Sequence, residues 1–170
     1  AMHGEGTLLS CGACGSEWEL NEFGELRSLT GAESPTHIPD WYAWERECVR
    51  QEIADGTYRM ECGVDICMMV DYKSMYRVGS GTLLHTPNGF SLHGCEGQLD
   101  YAQPPLASYS LYADYYWYEL GDMICIGDRE RLYYCFPHNG AAVAKARLAA
   151  EELYKTARAA QRRSVRAVRA

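Results

Sequence analysis

Five consecutive residues near the N-terminus, Cys11 to Gly15, have the types and spacing of a metal-binding turn. Two cysteines separated by two residues can present both thiolates to the same zinc ion. Tetrahedral zinc needs four ligands, but no second CxxC follows, and His3 is the only other candidate nearby. We expect the missing pair to lie upstream in a longer parent protein, so that this chain alone holds zinc only as a half-site. Two alternatives stay open: distant residues of this chain complete the site, or the turn binds no metal.

The remaining residues form no catalytic signature. The chain has no Gly-x-Ser-x-Gly motif, no phosphate-binding loop and no dinucleotide-binding glycine pattern. No local pattern marks a cysteine as a nucleophile. His37 and His138 have no cysteine or carboxylate partner at a recognised motif spacing, and His85 and His93 are predicted to face each other across a hairpin as an exposed pair. We therefore predict that this chain contains no catalytic residue.

Two stretches are candidate interaction surfaces. The first is a run of four aromatic residues in a predicted strand: Tyr115, Tyr116, Trp117 and Tyr118. Side chains alternate between the faces of a strand, so one aromatic face would remain exposed to a partner domain or a lipid interface. The second is a basic C-terminal tail that includes Arg162 and Arg163 and suits anionic headgroups or acidic partners. The alternative interpretations are a tyrosine-rich rim of the core and a solvated helix end.

Charge and composition narrow the class of protein. The 170 residues carry a formal charge of −7, with 47% hydrophobic residues, enough for a packed core. Eight basic and two acidic residues follow position 144, so this tail carries +6 and residues 1–144 carry −13. The acidic body argues against a general nucleic-acid groove, and we expect no nucleic-acid partner. The chain has no signal-peptide pattern, and no apolar run approaches the ~20 residues that span a bilayer. We therefore expect a cytoplasmic protein, at most peripheral to the inner face of the membrane. We expect its eight cysteines to be reduced in that compartment.

The spacing of apolar residues changes three times along the chain, and each change marks the start of a new kind of predicted secondary structure. Short strands surround the CxxC over residues 7–30, and after a linker a helix is predicted from Asp40 to Gly56, with Trp41, Trp44, Cys48 and Val49 on one face. From about residue 58 to 136, short segments rich in β-formers predict about seven antiparallel strands, with a hairpin turn at Asn88-Gly89. Antiparallel strands without intervening helices favour a barrel or sandwich. After Pro137 an alanine-rich helix is predicted over roughly 140–158, with fraying beyond residue 160.

This layout resembles pleckstrin-homology (PH) and GRAM-like domains, which have seven strands closed by one C-terminal helix. The chain also resembles the C-terminal region of bacterial phospholipid/glycerol (1-acyl-glycerol-3-phosphate) acyltransferases. The stretches that carry this second resemblance are CGACGSEWELNEFGEL, THIPDWYAWERECVRQEI and ARLAAEELY. In that group a split zinc ribbon precedes the helix, and its first cysteine pair lies just upstream of a segment like MHGEGTLLSC.

The resemblance implies a non-catalytic accessory domain. The catalytic domain of that family carries a histidine followed five positions later by aspartate, and no histidine of this chain has an aspartate at that offset. The chain would therefore position or regulate a phospholipid-biosynthesis enzyme, or dock it at the membrane or a partner; the rest of the parent acyltransferase would be its main partner. Lys73 and Arg77 lie among Asp65, Asp71 and neutral residues, so the resemblance does not extend to a phosphoinositide pocket.

Together these observations predict a mainly β (α+β) protein with four segments. They are a half zinc-ribbon-like segment over 1–30, a linker and helix over 31–56, a PH-like domain over 57–160 and a basic tail over 161–170. Two alternatives are a zinc-ribbon-containing module that binds nucleic acid or protein, and an enzyme of another type.

Overall fold

A computed structural model gives the structure of the chain and describes residues 2–12, 14–33, 35–70, 73–117, 119–138 and 143–168. The side chains of Tyr115, Tyr116 and Val168 are not described. The chain divides into two compact units, residues 1–48 and 49–170. Helix α1 contributes its first part to unit 1 and its last part to unit 2.

Unit 1 is a small antiparallel sheet in the order β1-β2-β3-β4, followed by the first part of α1. The strands are β1 (Met2–Glu5), β2 (Leu8–Cys11), β3 (Glu17–Leu20) and β4 (Leu26–Ser28), and α1 spans Ile38–Ala54. Leu9, Trp18 and Leu26 form the core, and Trp41 packs against it. The predicted strands around the CxxC are confirmed. The sequence did not indicate β1, whose residues Met2 to Glu5 have little β-propensity.

Unit 2 is built on one seven-stranded antiparallel sheet in the order β8-β7-β6-β5-β11-β10-β9. The strands are β5 (Met60–Val70), β6 (Ser74–Thr86), β7 (Gly89–Gly94), β8 (Leu99–Gln103), β9 (Tyr112–Trp117), β10 (Gly121–Gly127) and β11 (Leu132–Pro137). Four strands run as a meander, three more follow, and the last strand returns beside the first. The predicted seven antiparallel strands are confirmed, and the hairpin joins β6 to β7 with Thr86 opposite Gly89.

The sheet does not close into a barrel. Its edge strands β8 and β9 are not paired with each other among the described residues. The segment between them contains Pro104 and Pro105 and a single 3-10 turn, Pro105–Ala107. Because proline has no backbone N–H, Pro104 and Pro105 cannot donate to a strand ladder.

Helix α2 (Val143–Val168) begins against the main core and ends in solvent. The inward side chains of the sheet and the helix form one cluster: Val64, Ile66, Leu83, Phe90, Leu92, Leu111, Ile124, Ile126, Tyr133, Cys135, Val143 and Ala146. Leu148, Ala149 and Leu153 pack with Val49 and Tyr58 in an adjoining cluster. The predicted helix is correct, but its end near 158 is wrong, because it continues to Val168. The Ala and Arg residues beyond 160 favour a helix even without burial.

The predicted apolar face of α1 needs correction. Trp41 and Val49 do pack into cores, but Trp44 is 51% exposed and Cys48 is also exposed. Val49 is joined by the partly buried Ile53. At 100° per residue, the packed side of the helix is therefore rotated away from Trp44 and Cys48.

Candidate functional site

Backbone hydrogen bonds hold together the turn that carries Cys11 and Cys14. Gly15 has φ +71°, which only glycine adopts without strain. Its N–H donates to the carbonyl of Cys11 over 2.8 Å, and the N–H of Cys11 donates to the carbonyl of Ser16 over 2.8 Å. These bonds hold the exposed Cys14 close to the half-buried Cys11.

The sulfur of Cys14 lies 3.2 Å from the hydroxyl oxygen of Ser16. Hydrogen bonds from Ser16, together with one from the Cys11 thiol, lower the pKa of Cys14 below its ordinary value. A thiol with this environment forms a thiolate more readily, and the thiolate is the species that binds metal or attacks a disulfide.

His3 does not extend this site. It pairs across the sheet with Ser10, whereas Cys11 pairs with Met2, so His3 and Cys11 point to opposite faces. Among the residues that the structure describes, no three His, Cys, Asp or Glu side chains are grouped closely enough to hold a metal. Two thiols do not fill a tetrahedral zinc site, and two further ligands would have to come from outside the described residues or from a second chain.

Trp117, from the predicted aromatic surface, lies on the side of the sheet opposite the main core. Its ring stacks on that of Tyr134 with centroids 4.9 Å apart and planes 5° apart, and Phe136 lies beside both. Cys67 and Met123 are the other buried members of this cluster. Trp117 is thus partly packed rather than free. Tyr115 and Tyr116 belong to β9 by their backbone, and Tyr118 lies outside the described residues.

Arg162 and Arg163, the predicted tail residues, are exposed on the last part of α2. Between Val143 and Leu153 only Arg147 is exposed, whereas every residue from Lys155 to Ala167 is exposed except the half-buried Ala157. Between Lys155 and Val168 the helix carries five basic residues and no acidic one. None of Arg158, Arg162, Arg163 and Arg166 forms an ion pair with a described residue. This is the largest concentration of unpaired positive charge along the described part of unit 2.

A polar cluster that sequence spacing did not indicate lies on the outer face of the sheet. Oδ1 of Asp65 lies 2.8 Å from the Ser80 hydroxyl, 2.7 Å from a terminal nitrogen of Arg77 and 3.2 Å from Nε2 of His138. These contacts, that of Ser80 first, hold the pKa of Asp65 below its ordinary value. Gly63 makes room for the imidazole, since a Cβ there would lie 3.0 Å from Nδ1 of His138.

The cluster connects β5, β6 and the residue that follows β11, and its charged groups are paired with one another. Arg77 is engaged by Asp65, so it is not an open anion-binding group. His93 likewise lies 3.1 Å from Asp100, and His37 lies 3.8 Å from Asp40. These three histidines therefore each have a carboxylate neighbour in space, although none stands at a recognised motif spacing in the sequence. For His138 and Asp65, which are 73 residues apart, no local signal could have shown the contact.

The predicted exposed pair of His85 and His93 is wrong. His85 pairs with Phe90 and His93 with Thr82, which places the two rings on opposite faces of the sheet. His85 is buried, its Nδ1 lies 2.8 Å from the Tyr58 hydroxyl and its ring stacks on Phe90 at 3.6 Å. Burial lowers the pKa of His85 to about 3 and raises that of Tyr58. A histidine that stays neutral to such low pH is a core residue, not a general base at neutral pH.

Comparison with known proteins adds no relative: no family model, no curated protein and no solved structure matches the chain. Of the helices the structure describes, none combines the length and the apolarity required to cross a membrane. The fold and sites define a mainly β chain of two compact units, with a two-thiol turn in the first and an exposed basic helix in the second.

Proposed function

We propose that the chain is a non-catalytic accessory region of a bacterial phospholipid/glycerol acyltransferase. It consists of half of a zinc ribbon followed by a PH-like domain. Its role is to position or regulate the catalytic region, or to dock the enzyme at a membrane or a partner. The proposed partner is the rest of the same acyltransferase, and the proposed location is the cytoplasm, at the inner face of the membrane.

The observation that carries this proposal is the layout of unit 2. Seven antiparallel strands form two successive meanders, the last strand returns beside the first, and one C-terminal helix packs on the same core. Seven strands closed by one helix is the arrangement that the resemblance to PH and GRAM-like domains implies. The exposed basic helix is consistent with a docking role, since it presents charge without a partner in the described chain.

The first test is acyl transfer by the isolated chain. We expect no turnover with acyl-CoA or acyl carrier protein as donor and a lysophospholipid as acceptor, because no histidine is followed five positions later by aspartate. The preceding part of the gene should encode such a pair. Turnover by the isolated chain that a single substitution such as His138→Ala abolishes would refute the accessory role.

The second test concerns zinc at Cys11 and Cys14. We expect less than one zinc per chain, or one zinc shared by two chains, because two thiolates leave a tetrahedral site half filled. A longer chain that includes the upstream cysteine pair should hold one zinc tightly. Elemental mass spectrometry on both chains measures this, with Cys14→Ser as the knockout and Cys48→Ser, at another exposed cysteine, as the control. One firmly bound zinc per short chain, independent of protein concentration, would contradict the half-site.

An alternative is a zinc-ribbon module that binds nucleic acid or protein. It draws on the same two cysteines and on the arginines of α2. The charge of −13 over residues 1–144 disfavours its nucleic-acid form.

A further inference from the structure

The last part of α2 has a one-sided distribution of charge. At 100° per residue, Lys155, Arg158, Arg162, Arg163 and Arg166 fall within an arc of about 140°. The opposite side carries small residues such as Ala157, Ala160 and Ser164. Lys155 is neutralised by Glu152 at 2.7 Å, whereas the four arginines have no ion-pair partner among the described residues.

The half-buried Tyr154 and two exposed side chains, Tyr109 and Leu106, adjoin the base of this stripe. Tyr154 lines the same side of the helix as Lys155 and Arg158. Its ring packs edge to face against that of Tyr109, with centroids 5.3 Å apart. Tyr109 is 53% exposed, and Leu106, on the 3-10 turn that contacts α2, is also exposed.

We propose that this basic stripe of α2 docks onto the surface of a bilayer that contains anionic phospholipid. The arginines meet the headgroups, and Tyr109, Tyr154 and Leu106 lie at the boundary between headgroups and hydrocarbon. This deepens the accessory role proposed above and rests on it for its purpose, because an acyltransferase of phospholipids acts on membrane substrates.

Charge complementarity and distance favour a bilayer. With a rise of 1.5 Å per residue, Arg162 and Arg166 lie about 14 and 20 Å along the axis beyond Leu153. The Debye length is about 8 Å at physiological ionic strength, so the acidic residues of the sheet weaken the field at the end of the stripe only slightly. Tyrosine beside a basic stripe suits a membrane interface, where one end of the ring is apolar and the other is hydrated. A duplex phosphate backbone offers no apolar phase for these rings.

Vesicle binding by the 170-residue chain tests the proposal. The probes are phosphatidylcholine vesicles with and without about one third phosphatidylglycerol, in a sedimentation assay at several salt concentrations. We expect binding only to the anionic vesicles and a decrease with salt. Arg162→Gln with Arg163→Gln should weaken the partition coefficient about 25-fold, at about fivefold for each removed charge.

Matched variants separate a charge effect from unfolding. Arg129→Gln with Arg131→Gln removes the same charge from an exposed turn of the sheet and should retain vesicle binding. Arg162→Lys with Arg163→Lys keeps the charge and should also retain it, because a bilayer attracts either cation. Circular dichroism checks the helix in every variant.

Three outcomes would overturn the proposal. They are no binding to anionic vesicles, equal loss in the Arg129/Arg131 variant, and tighter binding to a short DNA duplex than to the vesicles. The vesicle assay tests only the docking of α2 to the membrane. Its failure would leave the acyl-transfer and zinc tests of the accessory role unaffected.

Discussion

Two histidines of unit 2 show how environment decides the role of a residue. His138 lies on the outer face and shares Asp65 with Arg77 and Ser80. His85 lies in the core, against Tyr58 and Phe90, and burial lowers its pKa to about 3. The folded-state pKa of His85 lies far below its ordinary value of 6.5, and this makes the stability of the unit depend on pH.

We predict that unit 2 loses stability as the pH falls below about 6.5, the pKa of a histidine in an unfolded chain. Between that value and the folded-state pKa of about 3, the unfolded chain binds a proton at His85 that the folded chain does not bind. The free energy of unfolding should therefore decrease by up to about 1.4 kcal/mol per pH unit. Urea denaturation between about pH 5 and pH 7 measures this dependence. Most carboxylates titrate below that pH range and therefore contribute little to it.

The matched variants are His85→Gln and His93→Gln. The first removes the buried titrating group but keeps an amide that can bond to Tyr58, and its pH slope should disappear in this window. The second removes an exposed histidine and should keep the slope of the parent. If the free energy of unfolding changed equally with pH in the parent and in His85→Gln, His85 would not be the source of the pH dependence.

At the scale of elements, β6 and β7 approach each other through a pair of glycines. Gly81 lies opposite Gly94. A Cβ on Gly81 would lie 2.3 Å from the carbonyl oxygen of His93, which is backbone and cannot move aside without breaking the ladder. A Cβ on Gly63 would instead lie 3.0 Å from the end of the His138 side chain, which can rotate.

We predict that Gly81→Ala lowers the free energy of unfolding by about 3 kcal/mol, because the two backbones must separate. Gly63→Ala, in the neighbouring strand, should cost less than about 1 kcal/mol, because only a side chain moves. Denaturant unfolding of both variants measures the difference. Equal losses at the two positions would contradict this account of the close approach.

The same elements show what sequence could and could not predict. Period-two runs and turn residues predicted the strands of unit 2, because these are local signals. The contact of His138 with Asp65 depends on β11 returning beside β5, a pairing between the first and last strands of unit 2 in the sequence that no local pattern encodes. The burial of His85 depends on register, since a shift of one residue would move it to the other face. The two-thiol turn was visible in sequence, but the sequence did not identify the two further ligands that a tetrahedral zinc ion would need.

At the scale of the whole molecule, the division of the chain lies within α1. Val49 belongs to unit 2, where it packs with Tyr58, Leu148, Ala149 and Leu153. Two ion pairs lie in the same unit: Nε of Arg50 is 3.2 Å from Glu152, and Nζ of Lys145 is 2.7 Å from Glu52. The end of α1 is therefore part of the fold of unit 2 and not a linker to it.

We predict that residues 38–170 fold on their own and that residues 57–170 are less stable. The shorter fragment loses the burial of Val49, worth about 2 kcal/mol. Its two lost ion pairs contribute little, about 1 kcal/mol or less each. Lys145 and Glu52 are partly exposed, and the buried Glu152 keeps Lys155 as a partner. Urea denaturation followed by circular dichroism compares the fragments. Val49→Ala in residues 38–170 should reproduce most of the loss, whereas Arg50→Gln should reproduce little of it. If residues 57–170 were as stable as residues 38–170, the end of α1 would not belong to the core of unit 2.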